Sequence, residues 1–186
     1  MVNNEYNAGS RSEIAADIHV CSLARLNEVV ATVRASHIIT AINPWSIPET
    51  PPGIAADDHL KLAMNDIVDN HPGLVTPASE HIAQLLDFAS VWNRQGPLVI
   101  HCLAGVSRST AAAFIVLCKF NPATSEHSLA RALRRKSPSA QPNQLMIELA
   151  DELLSRDGRM IEAIEAIGPG NPTLEGHPFS IESSIA

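Results

Sequence analysis

The chain has 186 residues, 45% of them hydrophobic, and a formal net charge of −7. That is enough apolar material for one domain with a real core and too little length for two comfortable ones, while the acidic balance excludes a general attraction to nucleic acid or to an anionic membrane surface. The longest clean apolar run, AAAFIVLC at 111–118, is far too short to span a bilayer, and MVNNEYNAGSRSE has no apolar signal region, so a soluble, cytoplasmic protein is expected.

In chain order, residues 1–12 are polar and expected to form a flexible terminus, with the working domain over 13–167. DIHVCSL reads as a strand, ARLNEVVATVRA has helical spacing, and HIITAIN at 37–43 is rich in branched residues and reads as a second strand. The proline-rich PWSIPETPPGIAADD is a long surface loop, and HLKLAM at 59–64 a third strand. Thr76 is expected to cap a helix with Pro77 as its first residue and Ile82, Leu85, Leu86 and Ala89 on one face, stopped by Gly96. PLVIH is continuously apolar, which suits a central strand covered on both faces. Helices are expected at 108–120, 124–136, 143–155 and 159–167, with Thr124 and Asn143 as caps. From Gly168 the tail GPGNPTLEGHPFSIESSIA is rich in Gly, Pro and Ser, and is expected to be flexible over 168–186 and to add little core. The assembly implied is α/β: a central, mostly parallel sheet of four to five strands flanked by helices, with ligands beyond the carboxyl ends of the strands.

The chemistry concentrates in HCLAGVSRST. Cys102 falls at the carboxyl end of PLVIH and Arg108 where the next helix begins, so Leu103, Ala104, Gly105, Val106 and Ser107 form a loop at a helix amino terminus. The backbone N–H groups of such a loop can turn inward and cradle an anion. Gly105 permits the bend, and the planar fork of Arg108 can grip two oxygens of a phosphate. The same donors stabilise a thiolate at Cys102. Placed under a bound phosphorus, that sulfur could displace an alcohol and form a phosphocysteine that water hydrolyses, with no metal or cofactor in either step. Ser109 could hydrogen-bond the sulfur and help it leave. Cys21 and Cys118 read as core thiols, since three cysteines without CxxC spacing support neither a disulfide framework nor a zinc site.

These residues resemble the H-C-x5-R-S/T signature of the cysteine-based protein tyrosine phosphatases, and most of all the compact dual-specificity branch. MND at 64–66 resembles the general-acid segment of that branch, and ALRRKSPSAQPNQLMIELADEL its later helical pair; the likeness covers residues 17–155. The resemblance implies Cys102 as nucleophile, Arg108 as phosphate clamp, Ser109 as thiolate partner and Asp66 as acid, acting on a phosphorylated protein or a small phosphomonoester. No counterpart is present of the tyrosine-bearing loop by which larger members gauge phosphotyrosine. The loop residues are uncharged, unlike the lysine-bearing loops of phosphoinositide phosphatases, which disfavours a highly charged inositol head.

Competing readings stay in view. A rhodanese-like sulfurtransferase also places a cysteine in an anion-cradling loop, and a non-catalytic phosphate-binding module would retain the cradle alone. Asp69 competes with Asp66, for both follow HLKLAM. Asp57 and Asp58 precede that strand and read as a solvated turn. His101 either orients the loop or is a satisfied buried histidine. Asn143 and Gln141 read as a helix cap and a surface amide rather than as site residues, and RALRRK at 131–136 as a solvated helix face. Oligomeric state has no signature in the sequence.

Overall fold

The structure is a computed structural model that describes residues 16–185; the expected flexible terminus at 1–12 lies outside the described residues. Five strands, β1 (Asp17–Ser22), β2 (His37–Ile42), β3 (His59–Ala63), β4 (Leu98–Cys102) and β5 (Phe179–Glu182), form one sheet in the order β3-β2-β4-β1-β5. The first four pair in parallel and β5 lies antiparallel on β1. β4, the continuously apolar run, is central and buried at all five positions, as coverage on both faces requires.

Alternation along the strands divides the core into two layers. Ile18, Val20, Ile39, Leu62, Leu98 and Ile100 pack toward the larger helical layer, whereas Cys21, Ile38 and Val99 pack with Leu26 and Val30 of α1 (Leu26–Val33) on the other face. The larger layer holds α2 (Ser79–Val91), α3 (Arg108–Phe120), α4 (Glu126–Lys136), α5 (Gln144–Leu153) and α6 (Arg159–Ile167). α3 is buried from Arg108 through Cys118, the behaviour of a helix that is apolar nearly all round. It packs on β1, β2 and β4 and against α2, α4 and α5, so the helix that opens on Arg108 is also the centre of the core.

Four expectations need correction. The tail is not a loose end: Phe179–Glu182 closes the β1 edge of the sheet, Ile181 is buried, and Asn121 donates to the Ser183 carbonyl (2.9 Å) and accepts from the Ile185 N–H (2.8 Å). Without β5 the backbone groups of β1 would face outward unpaired. α4 is capped by Ser125, whose Oγ accepts from the Ser128 N–H, while Thr124 donates to the Ile185 carbonyl instead. α2 starts at Ser79 rather than Pro77; His81 Nδ1 accepts from the Ala78 N–H (3.1 Å), and Thr76 donates to Asn70. Within RALRRK, Arg134 donates to the carbonyls of Pro138, Ala140 and Gly168, so a guanidinium read as solvated ties the ends of three segments together. Among the described residues no helix is long and apolar enough to cross a membrane.

Candidate active site

β1, β2, β3 and β4 end at one edge of the sheet, and each delivers something there. β4 ends on Cys102, and the chain turns through Leu103–Ser107 into α3. Gly105 makes this turn possible: its φ is +73°, and a Cβ would lie 2.9 Å from the Cys21 carbonyl carbon and the Ser22 nitrogen. Around Cys102 Sγ, the Gly105 N–H donates at 3.2 Å and Ser109 Oγ lies at 3.1 Å.

Four of the five loop carbonyls, all but that of Gly105, accept a backbone N–H. That of Leu103 accepts from the Leu23 N–H (3.2 Å), Ala104 from Gly176 (2.9 Å), Val106 from Gln141 (2.9 Å) and Ser107 from Ala111 (2.9 Å). In a trans peptide the C=O and the following N–H point in opposite directions. Pinning the Ala104 carbonyl from one side therefore turns the Gly105 N–H to the other, where it meets Sγ. The N–H groups of Ala104, Val106 and Ser107 have no acceptor among the described residues.

Arg108, the first residue of α3, is buried. Its Nη1 donates to Asn43 Oδ1 (2.8 Å), just past β2, and to the Met64 carbonyl (2.7 Å), just past β3. Its buried Nε has no hydrogen-bond partner and lies 3.8 Å from Asp66 Oδ2. The guanidinium is thus fixed through one nitrogen and leaves a second donor unused, the condition for receiving an oxyanion.

Asp66 follows β3 by three residues. Its Oδ1 accepts from Ser107 Oγ (2.6 Å) and from Asn143 Nδ2 (2.9 Å). The base of its loop is closed by Asn65, which exchanges hydrogen bonds with Val75 through both backbone and side chain. Asp69 is exposed with no partner among the described residues, and Asp58 sits at the far edge of the sheet near His37 (3.4 Å). Asn143 both caps α5 through Met146 and donates to Asp66, so it belongs to the site as well as to the helix. Gln141 contributes its backbone N–H to the loop.

His101 is satisfied on both ring nitrogens. Nδ1 faces the Cys102 carbonyl (3.3 Å), which can only accept, so Nδ1 carries the proton. Nε2 then accepts from Thr40 Oγ1 (2.6 Å), Thr40 accepts from His59 Nε2 (2.7 Å), and His59 Nδ1 accepts from Thr50 (3.0 Å). Every bond of this chain can be made with both rings neutral. Burial pushes His101 down to about 4, the Cys102 carbonyl opposing and Arg108 adding to the shift. Burial, then Lys61 and His101, brings His59 to about 4.

A cleft of about 680 Å³ opens from Asp66, Ser107 and Asn143 toward Ile164 and Pro169. Its lining carries Glu165 besides Asp66 and no Lys or Arg. Asn43, Thr40, His59 and Asn65 were not marked by the sequence reading. Two had a signal: Asn43 ends HIITAIN at the ligand-binding edge of a parallel sheet, and Asn65 lies inside MND.

This sheet, with the strand–loop–helix unit at its centre and helices on both faces, is the fold of the dual-specificity and tyrosine phosphatases. Human DUSP28 superposes with a TM-score of 0.58 at 17% identity, covering 75% of this chain and 88% of its own. PTP-2 phosphatase of Cydia pomonella gives 0.57 at 18% identity over 75% of this chain and 86% of its own, and DUSP15 gives 0.57 at 16% over 81% and 89%. In sequence, the chain is 26% identical over 153 residues to MAP kinase phosphatase with leucine-rich repeats protein 3 of Dictyostelium discoideum, a match that takes in 80% of this chain but 16% of that protein. No protein-family model matches the chain.

Proposed function

We propose that the chain is a dual-specificity-like phosphatase that hydrolyses phosphomonoesters through a phosphocysteine on Cys102. The observation that carries this reading is Cys102 Sγ set among the Gly105 N–H and Ser109 Oγ at the foot of the loop that leads into α3, whose Arg108 has a buried Nε without a hydrogen bond, 3.8 Å from Asp66. In the first step the Cys102 thiolate attacks phosphorus, the ester P–O bond breaks, and the departing oxygen takes the proton from Asp66. In the second, Asp66 accepts a proton from water as that water attacks phosphorus. The S–P bond then breaks and inorganic phosphate leaves, Ser109 donating to the returning sulfur anion. Leu103, Ala104, Gly105, Val106, Ser107 and Arg108 bind the phosphoryl oxygens as they flatten toward the transition state.

The substrate class this favours is a phosphorylated protein side chain or a small phosphomonoester. An acidic cleft without Lys or Arg gives no counter-charges for a polyphosphorylated inositol head. Ser107 and Asn143 holding Asp66 next to the loop favours hydrolysis over sulfur transfer, which requires no such acid.

The test is turnover of phosphotyrosyl, phosphoseryl and phosphoinositide substrates and of p-nitrophenyl phosphate in the presence of a chelator. The wild-type chain is expected to release phosphate undiminished by the chelator. Cys102→Ser should bind the ester but not turn it over, because a serine hydroxyl there lacks the thiol's readiness to ionise. Near wild-type hydrolysis by Cys102→Ser would end the nucleophile assignment. Persulfide formation from thiosulfate without phosphate release would mark a sulfurtransferase, and ester binding without any turnover a recognition module.

A further inference from the structure

We infer that the C-terminal segment is a working part of the phosphate site, with Gly176 a positioning residue that sets the direction of the Gly105 N–H beside Cys102. This rests on the phosphatase reading of the same loop.

The segment is anchored on both sides of its crossing. At one end the Asn171 N–H donates to the Pro138 carbonyl (2.9 Å), and Gly170 lies so close to the α4–α5 connection that a Cβ would be 2.5 Å from the Ser139 carbonyl oxygen. At the other end β5 pairs with β1. Between these anchors the chain passes behind the phosphate loop. Ser22, the β1 residue in register with Cys102, donates to Glu175 Oε1 (2.6 Å), and the next residue, Gly176, donates its N–H to the Ala104 carbonyl (2.9 Å).

That carbonyl and the Gly105 N–H belong to one planar peptide unit and point oppositely. Holding the carbonyl from behind aims the N–H at Sγ, where it is found at 3.2 Å. No other backbone N–H of the described chain takes the Ala104 carbonyl. Gly176 is buried, and its glycine is required by proximity, not by backbone conformation: its φ lies outside the left-handed region, yet a Cβ would stand 2.8 Å from the Gly105 oxygen and 3.4 Å from Val106 Cγ2. Any side chain there must push on the loop.

The experiment compares wild type, Gly176→Ala and Glu175→Ala for p-nitrophenyl phosphate turnover and for inhibition by phosphate and by vanadate, which adopts the five-coordinate geometry of the transition state. Inhibition constants do not depend on how many molecules are folded, so a role in stability alone leaves them unmoved. For Gly176→Ala we expect kcat to fall by roughly 10- to 100-fold, less than the 10²–10³ of losing an oxyanion donor outright, with the vanadate constant rising more than the phosphate constant. Glu175 is exposed, so Glu175→Ala is expected to fold. It should shift the vanadate-to-phosphate ratio in the same direction by less, and it carries the test if Gly176→Ala does not fold. An unchanged ratio overturns the inference. A wild-type chain that neither turns over ester nor binds either oxyanion overturns the phosphatase reading and the inference with it, whereas an active wild type with unmoved ratios overturns the inference alone.

Discussion

Asn143 uses both ends of one amide. Its oxygen caps α5 and its nitrogen holds Asp66, so the start of a helix fixes the place of that carboxylate. Asn143→Asp separates the two tasks, since aspartate caps as well as asparagine but sets a second carboxylate against Asp66. Stability should hold within about 1 kcal/mol, while hydrolysis of poor leaving groups falls more than that of a nitrophenyl ester. Equal losses for both esters would show that Asn143 acts only through the fold. Asp66→Asn should cost about 10²- to 10⁴-fold with a poor leaving group and much less with an activated one. Asp69→Asn should change little, and a leaving-group effect that followed Asp69 would transfer the assignment. At this scale the sequence was uneven. The cap at Asn143 is local and was legible, but its donation to Asp66 spans 77 positions, and nothing in the spacing of PNQ points there.

Strands β2, β3 and β4 are joined beneath the site by the Thr50–His59–Thr40–His101 chain. Because both rings are held near 4 in the fold against about 6.5 when unfolded, the unfolded chain binds more protons between those values. Their contribution to stability is therefore present above about pH 6.5 and lost as pH falls toward 4. The urea midpoint should drop between pH 7 and pH 5, ahead of most carboxylate titration, and His59→Gln should flatten that slope. A midpoint unchanged from pH 7 to 5 would contradict neutral rings. Thr40→Val keeps the shape and removes the hydroxyl, and should destabilise by about 1–3 kcal/mol for each ring nitrogen left bare. The helix α3, with its continuous apolar run, was read to the residue at 108–120, and α6 at 159–167 was too, on a weaker pattern. β5 was not. FSIE is four residues among prolines and glycines, too short for alternation to register, and it is a strand only because β1, at the other end of the chain, presents an open edge.

For the molecule as a whole, the three cysteines lie in three surroundings that exposed area does not separate: Cys21, Cys102 and Cys118 are each 1% exposed. What differs is the surrounding. Cys21 lies under α1, where burial foremost, with Cys102 adding and Arg25 opposing, pushes its thiol up to about 12. Cys118 lies inside α3, and burial again, helped by Glu126, raises it further still. Cys102 has the Gly105 N–H and Ser109 Oγ at its sulfur, in a loop whose Leu103 is 51% exposed, and the proposed function makes that loop an anion cradle. Iodoacetate, an anion, should be drawn to the same donors as phosphate. At pH 7 it is expected to modify one thiol per native chain, Cys102, identified by peptide mass, and added phosphate should slow that modification in proportion to occupancy. Cys118, inside the larger helical layer, and Cys21, under α1 on the other face, should react only on the timescale of global unfolding. Modification of Cys21 at a rate comparable with Cys102 would show that α1 opens independently of the rest of the core. Modification of Cys102 that phosphate does not slow would separate the sulfur from the anion cradle on which the proposed chemistry depends.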